Sequence, residues 1–169
     1  MTDAGPPASP GVHSRLQAEI RQTRPFRSRG QEAILSLLRS ADLAKHRFSD
    51  LFSAHGVTFQ QYNVLRILRG AGKAGLPTLE VGERMIERTP GVTRILDRLE
   101  AKGWVARERD VSDRRKVWCR IAPEGMALLA RLDAPVDEND EAVFASMAPE
   151  DLDTLIRILD ELRQRLAAS

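Results

Sequence analysis

From Ile34 onward, Leu37, Leu38, Ala41, Ala44, Phe48, Leu51 and Phe52 recur at three- and four-residue spacing, which predicts one long amphipathic helix. Ser28-Arg29-Gly30-Gln31 forms a capping box at its start, and Gly56 is placed to close it in the left-handed conformation. Thr58-Phe59-Gln60-Gln61 is a second capping box, opening a helix whose Tyr62, Leu65 and Leu68 share a face and which Gly70 and Gly72 end. After Lys73-Ala74-Gly75-Leu76-Pro77, Thr78 is positioned to cap a third, short helix carrying Leu79, Val81, Met85 and Ile86 toward the core. Thr89 ahead of Pro90 pairs an N-cap with the residue best suited to the first helical position, and predicts a fourth helix. Val92, Ile95, Leu96 and Leu99 form its buried face, and Gly103 after Lys102 stops it.

The pattern then changes period. Trp104 to Arg109 and Lys116 to Ile121 are β-prone runs flanking Asp110-Val111-Ser112-Asp113-Arg114-Arg115, a polar and basic stretch that predicts a hairpin with a projecting tip. Pro123 starts a fifth helix through Met126, Leu128, Leu129 and Leu132, which Pro135 is expected to interrupt or kink. Pro149 introduces a last helix with Leu152, Leu155, Ile156, Leu159, Leu162 and Leu166 on one stripe. Upstream, residues 1 to about 12 are Pro/Gly-rich and read as disordered, and Ser14 to Gln22 as a short basic helix.

Three short helices followed by a hairpin make a winged helix, with the helix-turn-helix over Thr78 to Lys102. The expected fold is mainly α with a small β-hairpin wing: a winged helix-turn-helix plus N- and C-terminal dimerisation helices. Residues 1–27 read as a disordered or partly helical leader, 28–57 as the first long helix, 58–122 as the DNA-binding domain and 123–169 as the C-terminal dimerisation helices.

Charge sharpens this picture. Residues 56–125 carry 14 Lys+Arg against 9 Asp+Glu, whereas residues 126–169 carry 4 against 10, so a basic middle suits a polyanion that the acidic tail would repel. At 100° per residue, Pro90, Thr93, Arg94, Asp97, Arg98 and Ala101 point away from the buried face of the fourth helix. Arg94 lies near the middle of that face; a guanidinium bonds a guanine edge bidentately and a Thr methyl contacts thymine, so Arg94 and Thr93 are the expected base readers. Thr89, Pro90 and Gly91 form a slim helix start able to meet a phosphate, and Arg98 extends the contact. At the tip, Arg114, Arg115 and Lys116 suit a narrow minor groove, with Asp113 expected to hold one guanidinium while the other reaches DNA; which arginine does which is open. The bland alternative makes Arg94 and Arg98 solvated charges paired with Asp97 or Glu100, and the tip an ordinary turn.

The run Arg94-Ile95-Leu96-Asp97-Arg98-Leu99-Glu100-Ala101-Lys102-Gly103-Trp104-Val105, followed by Asp113-Arg114-Arg115, resembles the recognition helix and wing of MarR-family regulators. In element order the resemblance spans residues 30 to 167. It implies a transcriptional regulator, in many members a repressor, that binds double-stranded DNA as a homodimer with intertwined first and last helices. Ile34, Leu37, Leu38, Leu155, Leu159, Leu162 and Leu166 would form that dimer contact. It also implies release by a small aromatic effector, with a pocket near His46, Phe48, Phe52, Phe59 and Tyr62, although such aromatics are more often plain core. The chain departs from the family pattern at Gly82, expected to loosen the third helix, and at Ala122 and Ala148, where Thr or Ser caps are common.

The remaining chemistry is sparse. The single cysteine, Cys119, lies in the second wing strand, excludes an intrachain disulfide and reads as a small packed residue rather than an oxidant sensor. His13, His46 and His55 show no metal-ligand spacing, and no nucleophile-base pair or phosphate-cradling loop is present, so neither metal, cofactor nor enzymatic activity is expected. With no apolar run of membrane-spanning length and no signal peptide, a cytoplasmic setting is expected. The second reading is a winged-helix protein-interaction module without DNA binding; the cationic wing weighs against it.

Overall fold

A computed structural model describes residues 15–87, 90–113 and 115–168. Seven helices and three short strands follow in the order α1 (Leu16–Glu19), α2 (Arg29–Ser53), α3 (Phe59–Ala71), β1 (Leu76–Pro77), α4 (Thr78–Arg84), α5 (Val92–Ala101), β2 (Val105–Arg109), β3 (Val117–Ile121), α6 (Pro123–Phe144) and α7 (Pro149–Ala167). The chain divides into two compact units, residues 1–48 and 49–169, the division falling within α2.

In the first unit, α1 is a four-residue turn of helix, shorter than the segment predicted from Ser14, which lies outside the described residues. Ser28 starts α2 as expected: its hydroxyl accepts the Gln31 N–H at 3.1 Å. The returning bond differs, because the Gln31 carboxamide accepts the N–H of Arg27 at 2.7 Å, one residue before the cap. Along this part of α2, Ile34, Leu38 and Leu43 are exposed.

The second unit is organised around α3. Thr58 and Gln61 make both halves of a capping box, as predicted. Five consecutive residues, Gln61 to Leu65, are buried, so over this stretch α3 is enclosed around its circumference rather than along one face. Val64, Leu65 and Leu68 meet a core completed by Phe52, Val81, Leu96, Leu99, Leu128, Leu129 and Leu132. The helix continues through Gly70 to Ala71, correcting the expected stop at Gly70; Gly72, at φ 64°, is its C-terminal residue. Arg69 and Asp133 clamp α3 to α6 through two bonds of 2.8 and 2.9 Å, and this pairing holds the Asp133 carboxyl below its ordinary range.

The three strands form one antiparallel sheet in the order β1-β3-β2. The predicted hairpin is present with Val105 opposite Ile121 and Arg109 opposite Val117; β1 adds Leu76 opposite Cys119, a strand too short for periodicity to reveal. Gly125 explains how α6 seats on this sheet: a Cβ there would lie 2.3 Å from the Trp104 carbonyl oxygen, which also accepts the Ala122 N–H at 2.9 Å.

Several local expectations are overturned. Thr78 does not cap α4; its hydroxyl donates to the Val117 carbonyl at 3.2 Å and so ties α4 to β3. Leu79, expected in the core, is 75% exposed, because in a seven-residue helix it lies about 200° from buried Val81. Ile86 falls beyond the helix end, after extended Met85, and is likewise exposed. α5 begins at Val92 with Gly91 as N-cap, two residues later than predicted; Thr89 lies outside the described residues. Pro135 sits inside an uninterrupted α6, with only the Arg131 carbonyl deprived of its helical donor. Met126 on that helix is exposed. Both α6 and α7 start with proline in the first turn after an uncapped alanine, so the missing Thr or Ser cap does not prevent either start. Among the described residues no helix is long and apolar enough to cross a membrane.

Gly125→Ala is expected to destabilise the fold by about 2 to 4 kcal/mol through overpacking against a backbone carbonyl. Gly70→Ala, in open helical surroundings, is expected to stabilise it by about 0.5 to 1 kcal/mol. Equilibrium urea unfolding of both variants measures the contrast.

Candidate nucleic-acid interface

α5 presents the amphipathic surface the sequence predicts. Leu96 and Leu99 are fully buried, Val92 and Ile95 partly so, while Pro90, Thr93, Arg94, Arg98 and Ala101 are exposed. Its outward side, however, divides into two stripes. Asp97 and Glu100 turn toward β2, where the Arg107 guanidinium lies 2.7 Å from Asp97 and 2.5 Å from Glu100. The Glu100 bond above all, with Asp97, raises the Arg107 pKa further, so this cation is permanent. Arg107 thus bolts the recognition helix to the wing. Asp97 belongs to this internal contact, not to a freely outward face. With both carboxylates engaged there, Arg94 and Arg98 have no ion-pair or hydrogen-bond partner among the described residues, which removes the pairing that the bland reading supposed.

A groove of about 440 Å³ opens between the starts of α4 and α5 and the wing. Leu79, Val92, Thr93, Arg115, Lys116 and Val117 line it. Thr93 and two of the predicted wing cations are therefore brought to one surface, with exposed Leu79 added. Arg98 lines a separate groove of about 570 Å³ on the far side of α5, with Thr58, Gln61, Ala101 and Lys102. Lys102 is fixed there: its ammonium donates to the Gly56 carbonyl at 2.8 Å and lies 4.4 Å from the centre of the Trp104 ring.

The wing tip is anchored by a residue the sequence reading passed over. Asp110 Oδ1 accepts the Ser112 N–H at 2.8 Å, the Ser112 hydroxyl at 2.6 Å and the Asp113 N–H at 2.8 Å, while Oδ2 accepts the Trp118 indole N–H at 2.7 Å. Hydrogen bonds from Ser112 and Trp118, then from the backbone, hold the Asp110 carboxyl well below the usual carboxylate range. Asp113 Oδ1 accepts the backbone N–H of Arg115 at 3.1 Å. Arg114 lies outside the described residues, and the expected grip of Asp113 on one of the two guanidinium groups lies there with it. Asp-x-Ser is an Asx-turn pattern, a sequence signal that was available at Asp110.

Cys119 is fully buried between Thr78 and the wing strands, and burial pushes its thiol pKa up, which suits a packed residue. Of the effector candidates, Phe52 stacks on Tyr62 with ring centroids 4.4 Å apart and faces Phe59 at 6.0 Å. The Tyr62 hydroxyl accepts from Arg66 at 2.9 Å. His46, in the first unit, is exposed with Nδ1 2.9 Å from the Asp42 carbonyl oxygen, and Phe48 is partly buried. Among the described residues, no three His, Cys, Asp or Glu side chains converge to hold a metal ion.

The MarR family model matches residues 57–117, the stretch from the end of α2 to the start of β3. A solved MarR transcription factor from Planctomyces limnophilus is 36% identical, with 80% of this chain and 98% of that one aligned at a TM-score of 0.64. This chain belongs to the MarR family. Like other MarR-family proteins it is a winged-helix transcriptional regulator, in a family of regulators rather than enzymes. The homoprotocatechuate degradative operon repressor of Escherichia coli is 28% identical over 127 residues, covering 75% of this chain and 84% of the relative. The Staphylococcus aureus MepR–DNA complex shares the MarR fold at a TM-score of 0.70 and 20% identity, covering 77% of this chain and 96% of that one.

In this MarR-family wing, Asp110→Asn is expected to speed solvent exchange of the Trp118 indole proton about tenfold or more, because an amide cannot accept on both sides. Since the folded pKa is depressed, the contribution of Asp110 is complete above the unfolded value near pH 4, shrinks as pH falls below it, and is lost once Asp110 itself protonates. The Trp118 indole resonance followed through an acid titration reads this directly.

Proposed function

We propose that the protein is a homodimeric repressor that binds an inverted-repeat DNA operator in a sequence-specific way. The observation that carries this reading is the shared groove in which Thr93 of α5 faces Arg115 and Lys116 of the wing, beside an Arg94 with no side-chain partner among the described residues. In this arrangement Arg94 and Thr93 read base edges in the major groove, Pro90 and Gly91 keep the helix start slim against a phosphate, and Arg98 adds backbone contact. Arg115 and Lys116 follow the adjacent minor groove, where narrow segments concentrate negative potential.

Dimerisation is supported by apolar surface left uncovered in the single chain. α7 buries none of its residues, and Ile156 and Leu166 are 51% and 60% exposed. Leu155, Leu159 and Leu162 on α7, with Ile34, Leu37 and Leu38 on α2, are the residues assigned to the two-fold contact. A dimer of this kind addresses half-sites about 34 to 36 Å apart. Release by a small aromatic effector belongs to the same reading, supported by family membership and by a relative named for repressing a degradative operon.

The test is fluorescence anisotropy on a duplex selected by the protein from a random pool and on a shuffled duplex, across a salt series. Arg94→Ala is expected to cost about 1 to 3 kcal/mol on the selected site and to relax sequence preference. Lys116→Ala is expected to weaken both duplexes alike and lower the salt slope by about one. Failure to select any site, with equal feeble binding throughout, would move the protein-interaction reading into first place. Leu159→Asp is expected to shift the sedimentation equilibrium from dimer toward monomer; an unchanged dimer would remove α7 from the contact.

A further inference from the structure

We propose that Asn63 is a positioning residue for DNA reading: its buried carboxamide holds the turn between α4 and α5 and thereby sets where the recognition helix starts. Asn63 is 9% exposed on α3, and its Oδ1 accepts the backbone N–H of Ile86 at 3.0 Å across 23 residues of sequence. Ile86 directly follows extended Met85, where α4 has ended, and its own side chain is 72% exposed. At Ile86 the turn is therefore held by its backbone, one residue after the buried Met85 side chain. Gln60, three residues earlier on the same face of α3, reaches the next turn residue, Glu87, at 3.4 Å.

Two features separate this from ordinary core polarity. A buried carboxamide is costly unless its hydrogen-bonding capacity is met, and the Asn63 Nδ2 has no acceptor among the described residues. An apolar side chain of similar volume would fill the site without that cost, so what the amide contributes is the bond to Ile86. The consequence lies at one end of α5 only. Its later half is fixed by Arg107 through Asp97 and Glu100, independently of the turn. Its first turn, with Thr93 and Arg94, starts at Val92, downstream of the Ile86 backbone that Asn63 restrains. Losing the Oδ1 acceptor releases the reading end of the helix while leaving the wing in place.

The inference rests on the DNA-binding reading, and its experiment separates the two. Asn63→Leu removes the acceptor and keeps the volume; Asn63→Asp keeps an acceptor oxygen. With affinities normalised to folded protein, Asn63→Leu is expected to lose about tenfold or more of the preference for the selected duplex over the shuffled one. Its salt slope should stay unchanged, and Asn63→Asp should retain most of the preference. A merely structural role would lower the melting temperature and leave the preference of the folded protein intact, and that outcome overturns the proposal. If the wild type selects no DNA at all, the DNA reading has failed, and amide exchange decides the positioning claim alone. Asn63→Leu is then expected to lose protection at Ile86 and at Ile95, whose N–H bonds the Gly91 carbonyl at 3.1 Å to open α5. Unchanged protection at both amides sinks it.

Discussion

The enclosure of α3 is the constraint on which the second unit depends. A helix on a domain surface buries a stripe; α3 buries five residues in succession, so its first half makes contacts on every side. Phe52 stacks on Tyr62, Asp133 of α6 takes Arg69, and Asn63 takes the turn before the recognition helix. Because neighbouring residues of one rigid element address different partners, a small rotation of α3 would be felt at each of them. Close packing allows little intermediate adjustment.

Around this strut the charged groups sort by role. Carboxylates are engaged within α5 and the wing: Asp97 and Glu100 on Arg107, Asp110 on the wing turn, Asp113 on the Arg115 backbone. The exposed cations Arg94, Arg98 and Lys116 are left without internal carboxylate partners among the described residues. These three cations lie on the exposed surface of α5 and the wing.

Much of this architecture was legible in the sequence where the signal is local. The Ser28 cap, the Thr58–Gln61 capping box, the proline starts of α6 and α7, and the wing strands follow from side chains acting within a few residues. Legibility failed where a distant partner decides. Pro90-Gly91 is a turn signal as much as a helix start, and α5 begins at Val92, whose side chain packs close to Gly82: a Cβ on Gly82 would lie 3.4 Å from it. Gly82, which looked like a weak helix former, is a contact surface. Asn63 was invisible because periodicity assigns polar residues to solvent, and over Gln61 to Leu65 the helix has no solvent side. The choice of Asp110 over Asp113 as wing anchor depended on Trp118, eight residues away across the hairpin.

The Asp110 clasp also bears on how the wing can meet DNA. A flexible basic loop loses conformational freedom when it enters a groove, and that loss offsets part of the attraction between guanidinium and phosphate. Here the loss is taken when the chain folds, because one carboxylate already fixes Ser112, Asp113 and Trp118 in place. On the proposed DNA-binding function, a turn held in this way favours duplexes whose groove matches its shape, where a softer loop would adapt to either.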